Sequence, residues 1–254
     1  MARGEHILLI VIVGCARQEK TMRSAVVALV IAFFVVVFFV GTLGRARVGR
    51  IGVQEMGDHR AGNMATADQT LSPTVGAFHI VHANGPMNVN IRTGTTASLT
   101  FHARADVLPL LTSEVKDGVL TIGINDTGKD DIGDITVTVI TPNIDGVTLN
   151  GSGNVDVQGV KSADFSGLIN GSGNLTANGS ADAAAFTVEG SGNIEAKDLL
   201  ATSTTVKIAG SGNANVNAAK KLDATVEGSG DIRYTGKPGE VGQHMSGSGS
   251  VEPE

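Results

Sequence analysis

The sequence predicts an all-β chain: a right-handed parallel β-helix (β-solenoid) with GSGN coils of about 19 residues, preceded by one N-terminal transmembrane helix. Three observations predict it. A Gly-Ser-Gly element recurs at a near-constant period, apolar and polar residues alternate on both sides of it, and an uninterrupted apolar run stands near the N-terminus.

The element reads Gly151-Ser152-Gly153-Asn154, Gly171-Ser172-Gly173-Asn174, Gly190-Ser191-Gly192-Asn193, Gly210-Ser211-Gly212-Asn213, Gly228-Ser229-Gly230-Asp231 and Gly247-Ser248-Gly249-Ser250, spaced by 20, 19, 20, 18 and 19 residues. A fixed period of this size marks a stacked-repeat architecture. Two positions before the first glycine stand Leu149, Ile169, Val188, Ile208, Val226 and Met245. Directly after the fourth residue come Val155, Leu175, Ile194, Ala214, Ile232 and Val251, and the next position is Asp156, Thr176, Glu195, Asn215, Arg233 and Glu252. Alternation with period two belongs to half-buried strands.

Each coil therefore reads as strand, sharp corner, strand and a looser return. The two glycines of a corner suit a backbone that visits φ > 0. Stacked coils place equivalent strands in parallel about 4.8 Å apart, with the aligned Asn side chains forming a hydrogen-bonded ladder. Chirality rules make the winding right-handed.

Composition agrees. With 34 glycines, 4% aromatic residues and no Trp, the chain suits a thin core of small residues. A net charge of −6 offers no basic face for nucleic acid. The single cysteine, Cys15, excludes an internal disulfide.

Residues 24–44 form an uncharged apolar stretch close to the roughly 20 residues that span a bilayer, read as a transmembrane signal-anchor. Residues 1–23 are an N-terminal extension, with Met22 as an alternative start. Within it, Ile12-Val13-Gly14-Cys15 has the form of a lipoprotein box, but the apolar run behind it is too short for a good signal core. Arg45, Arg47 and Arg50 follow the membrane stretch, against the positive-inside rule for an exported C-terminal domain. Residues 45–73 read as a flexible stem.

Residues 74–146 read as an irregular N-terminal β part that caps the repeat region 147–254. Strands are expected at 78–82, 87–91, 99–103, 111–115, 119–124 and 135–141, with a hairpin turn at Lys116-Asp117-Gly118. The segment Ala83–Ile91 aligns with Leu149–Val157 and forms a degenerate first coil.

Phe78-x-Ile80, Asn84-Gly85, Val89-x-Ile91, Val115-x-Asp117-Gly118-x-Leu120-x-Ile122 and Ile135-Thr136-Val137-x-Val139, followed by the GSGN repeats, resemble the head GIN domain of auto-transporter adhesins over residues 74–251. The resemblance implies a right-handed β-helix exported to the bacterial envelope, and supplies no catalytic or ligand residues. No membrane barrel follows residue 254, so self-export is not expected.

The corner serines lack a recurring His or Asp, which argues against nucleophiles. Calcium is disfavoured because only Asp231 in the Asn column is a carboxylate. His79 and His82 face opposite sides of a strand, and His102 and His244 have no evident partners. Asp130, Asp131 and Asp134 read as solvated loop charge. These considerations predict no catalytic residue, metal or cofactor. The expected function is a non-catalytic, membrane-anchored envelope protein that presents its solenoid for adhesion, binding or scaffolding to a glycan or protein. The domain would lie in the periplasm or outside, held by the inner membrane. The alternative is a polysaccharide lyase or hydrolase using Glu195 and Arg233 on the outward column. Pro253, flanked by Glu252 and Glu254, is expected to stop stacking and keep the solenoid monomeric.

Overall fold

The computed structural model describes residues 67–125, 128 and 131–254. The membrane stretch 24–44, Cys15 and most of the stem lie outside the described residues. Among those described, no helix is long and apolar enough to cross a membrane. The strands are β1 (Asp68–Leu71), β2 (Ile80–Asn84), β3 (Asn88–Thr93), β4 (Ser98–Arg104), β5 (Leu111–Lys116), β6 (Val119–Ile124), β7 (Thr136–Thr141), β8 (Gly146–Gly151) and β9 (Asn154–Gly171). They continue as β10 (Asn174–Gly190), β11 (Asn193–Ala196), β12 (Leu199–Gly210), β13 (Ala214–Asn217), β14 (Lys221–Gly228), β15 (Asp231–Thr235), β16 (Glu240–Gly247) and β17 (Ser250–Pro253).

Two parallel faces meet at the corners. Before the corner, the order is β6, β2, β8, the second halves of β9, β10 and β12, then β14 and β16. After it, the order is β7, β3, the starts of β9 and β10, then β11, β13, β15 and β17. The inward columns converge on one core that runs from Val81 and Val89 through Leu149, Ile169, Val188 and Ile208 to Ile232. Phe165 and Phe186 pack edge to face within it, with ring centroids 6.2 Å apart.

The coil of β2 and β3 lies directly on that of β8 and β9, pairing Ala83 with Leu149 and Asn88 with Asn154. The chain between them does not continue the stack in order. Instead β6 and β7 form a further layer on the outer side of β2 and β3, and β5, β4 and β1 add to that layer in antiparallel fashion. The hairpin turn between β5 and β6 uses positive φ at Asp117 (51°) and Gly118 (78°), as a two-residue β-hairpin requires.

Three features depart from the sequence reading. First, the stem does not run to residue 73, because β1 pairs with β4 from Asp68↔Arg104 to Leu71↔Phe101. Every β1 residue is exposed, so no burial pattern marked it. Second, the first returns are hydrogen-bonded strand. Gly179, Ser180 and Ala181 pair with Val160, Lys161 and Ser162, after a register shift between Ala177 and Gly179. Small inward residues such as Val160 and Ala181 let this segment close onto the core.

Third, the two glycines of a corner serve different needs. The first has φ of 131° to 140° in all six corners, a region that disfavours a Cβ. The second is not in positive-φ backbone. It is glycine because a Cβ on Gly192, for example, would collide with the carbonyl oxygen of Gly173 in the coil before. That oxygen also accepts the N–H of Asn193 at 3.2 Å.

Candidate functional site

The corners carry a polar ladder on the outside of the solenoid. Asn154 Nδ2 donates to Asn88 Oδ1 at 2.9 Å, Asn174 to Asn154 at 2.8 Å, Asn193 to Asn174 at 3.0 Å and Asn213 to Asn193 at 3.3 Å. The backbone N–H of Asp231 then donates to Asn213 Oδ1, and Asp231 Oδ1 accepts from both the N–H and the hydroxyl of Ser250. A second ladder runs just before the corner, where Asn150 donates to Asn84 at 2.6 Å and Asn170 to Asn150 at 2.8 Å. It stops there: Glu189 follows in register, and the buried Asn170 Oδ1 has no hydrogen-bond partner among the described residues. The Asn-Gly pairs at 84–85, 150–151 and 170–171 are the sequence signal for this second ladder.

On the adjacent outward column, Glu195 accepts a hydrogen bond from Asn215 of the next coil. Arg233 lies one coil further, in register with Asn215, so the pair considered for catalysis is separated by an amide. Asp131 is not merely solvated: it accepts from the Gly133 N–H and pairs with Arg104 at 3.2 Å, tying its loop to β4. His102 also has partners, Asp68 at 3.8 Å and Thr70 at 3.4 Å, both on the unforeseen β1. Asp130 lies outside the described residues. Among the described residues, no three His, Cys, Asp or Glu side chains converge as a metal site.

A concave site exists where the repeat meets its cap. A cavity of about 430 Å³ is lined by His79, Ile80, Asn143, Asp145, Lys161, Ser162, Ala163 and Asp164. Asp145 is its fixed point. Its N–H donates to the His79 carbonyl at 2.7 Å, and its own carbonyl accepts from Ser166 N–H at 2.9 Å. Its Oδ1 accepts from Asn143 Nδ2 and from the Ser162 hydroxyl, both at 2.7 Å. The residues come from three distant segments, so spacing in the sequence does not gather them.

The family model described as "Putative auto-transporter adhesin, head GIN domain" matches residues 77–238. The chain belongs to this family. The matched span of the head GIN domain takes in strands β2 to β15, the cavity and the corners through Gly230. A solved structure described as a "putative adhesin" from Bacteroides fragilis is similar at 24% identity and a TM-score of 0.63, covering 75% of this chain and 99% of that one. One from Parabacteroides merdae, also described as a "putative adhesin", is 20% identical with a TM-score of 0.47, covering 74% and 96%. The first likeness shows a shared fold. No curated protein matches the chain.

Proposed function

We propose that the chain is a non-catalytic bacterial envelope protein that presents its β-solenoid for adhesion, binding or scaffolding. Residues 24–44 would anchor it in the inner membrane, with the solenoid in the periplasm or outside. The observation that supports this most is the outer amide ladder from Asn88 to Ser250. Its side chains hold one another in place, so the surface is rigid and ordered before any partner arrives, which lowers the entropy lost on binding. The family's adhesin description and the similarly described neighbour agree with this reading. The lyase or hydrolase alternative needs charged groups converging on one bond, whereas Glu195 is engaged by Asn215.

Beads carrying the full-length chain in detergent should be retained on immobilised envelope polysaccharide or cell-wall material. Absence of retention, together with release of new sugar ends from the polysaccharide, would replace adhesion with the enzymatic reading.

A further inference from the structure

We propose that the cavity beside Asp145 is a binding site for a neutral saccharide unit. The inference deepens the adhesion reading by naming a ligand class and a place. At about 430 Å³ the cavity lies toward the small end of the roughly 300–1,000 Å³ typical of ligand clefts. It suits one or two sugar rings better than a folded peptide segment.

The lining chemistry selects the class. Asp145 Oδ1 is occupied by Asn143 and Ser162, which hold the carboxylate in one orientation. Among the described residues nothing bonds to its Oδ2, to the Asp164 carboxylate, to the Lys161 ammonium or to the His79 ring. The site thus offers two carboxylates that accept hydroxyl protons, and an ammonium and an imidazole that can donate to ring or linkage oxygens. Ile80 and Ala163 add an apolar patch for the C–H face of a ring.

Other classes fit less well. A phosphate or sugar acid would meet two carboxylates against one lysine. An amine would meet Lys161. A lipid chain would find only Ile80 and Ala163 as apolar residues in the lining, beside two carboxylates and an ammonium. A neutral polyol uses every group and places no charge against a like one. The site also has a framework of its own, since Asp145 is bonded through its backbone to His79, the residue before β2, and to Ser166 of β9.

The test is saturation-transfer NMR and calorimetry on the full-length chain in detergent. The probes are cellobiose, maltose and N,N′-diacetylchitobiose, with digalacturonate and glucosamine as charged comparisons. At least one neutral disaccharide should bind, and Lys161→Ala and Asp164→Asn should each weaken it roughly tenfold, the scale of one lost hydrogen bond to a charged group. Lys161 and Asp164 are both exposed, so these variants keep the fold, which circular dichroism checks. Binding unchanged in both variants, no neutral saccharide bound, or tighter binding of digalacturonate or glucosamine would each overturn the proposal. Bead retention by Lys161→Ala at the wild-type level would leave the adhesion reading standing while removing this one.

Discussion

Gly192 stacks on Gly173 so closely that a methyl group on Gly192 would collide with the Gly173 carbonyl oxygen. The same relationship recurs at every corner, with Gly212 over Gly192 and Gly230 over Gly212. Coil spacing along the solenoid is therefore limited by backbone contact at this column, and no side chain can be accommodated without opening the ladder.

Gly192→Ala should thus destabilise the domain by about 3 kcal/mol, the upper end of the overpacking range, although its φ is unstrained. Ser191 next to it is exposed, and its N–H, which bonds the Gly171 carbonyl at 3.0 Å, survives substitution. Ser191→Ala should stay within about 0.5 kcal/mol of wild type. Urea unfolding midpoints of the two variants decide; equal effects would refute the steric account.

Glu189→Asn should stabilise the domain. The later coil donates to the earlier one in this ladder, and Asn170 Oδ1 lacks a donor where Glu189 sits. An asparagine amide there would extend the ladder by one rung and satisfy the buried oxygen. The expected gain is about 0.5–1.5 kcal/mol in thermal unfolding. A loss would mean that Asn170 Oδ1 is already satisfied by water.

Lys221 lies 3.1 Å from Glu240 of β16 and 3.4 Å from Asp223. Its hydrogen bond to Glu240, followed by that to Asp223, raises its pKa above the ordinary 10.5. A raised folded-state pKa contributes stability fully present below the ordinary value and lost as pH climbs through the raised one. Lys221→Gln should lower the melting temperature slightly at pH 7, and less so at high salt because the group is exposed. The difference should vanish in strong alkali. A gap that persists there would assign the effect to packing.

The topology proposed for residues 24–44 predicts that a C-terminal reporter active only after export will be active. Activity confined to a cytoplasmic reporter would reverse the orientation, in keeping with Arg45, Arg47 and Arg50.

The coil period, the inward columns and the outer Asn ladder could all be read from the chain, because each repeats locally. Six copies of one corner place Leu149, Ile169 and Val188 in one column whatever else the chain does. The alignment of Ala83–Ile91 on Leu149–Val157 was legible for the same reason, and the pairing of Asn88 with Asn154 follows it.

Three things were settled by tertiary structure. The layer of β6 and β7 goes outside β2 and β3 because sheet edges on that side needed strands, and nothing in their alternation says which neighbour they meet. β1 is a strand through its backbone bonds to β4, so its exposed side chains carried no pattern. The cavity joins His79, Asp145 and Lys161, whose proximity follows from the stacking of coils distant in sequence. Repetition writes local geometry into sequence; contacts made once, between remote segments, leave no period to read.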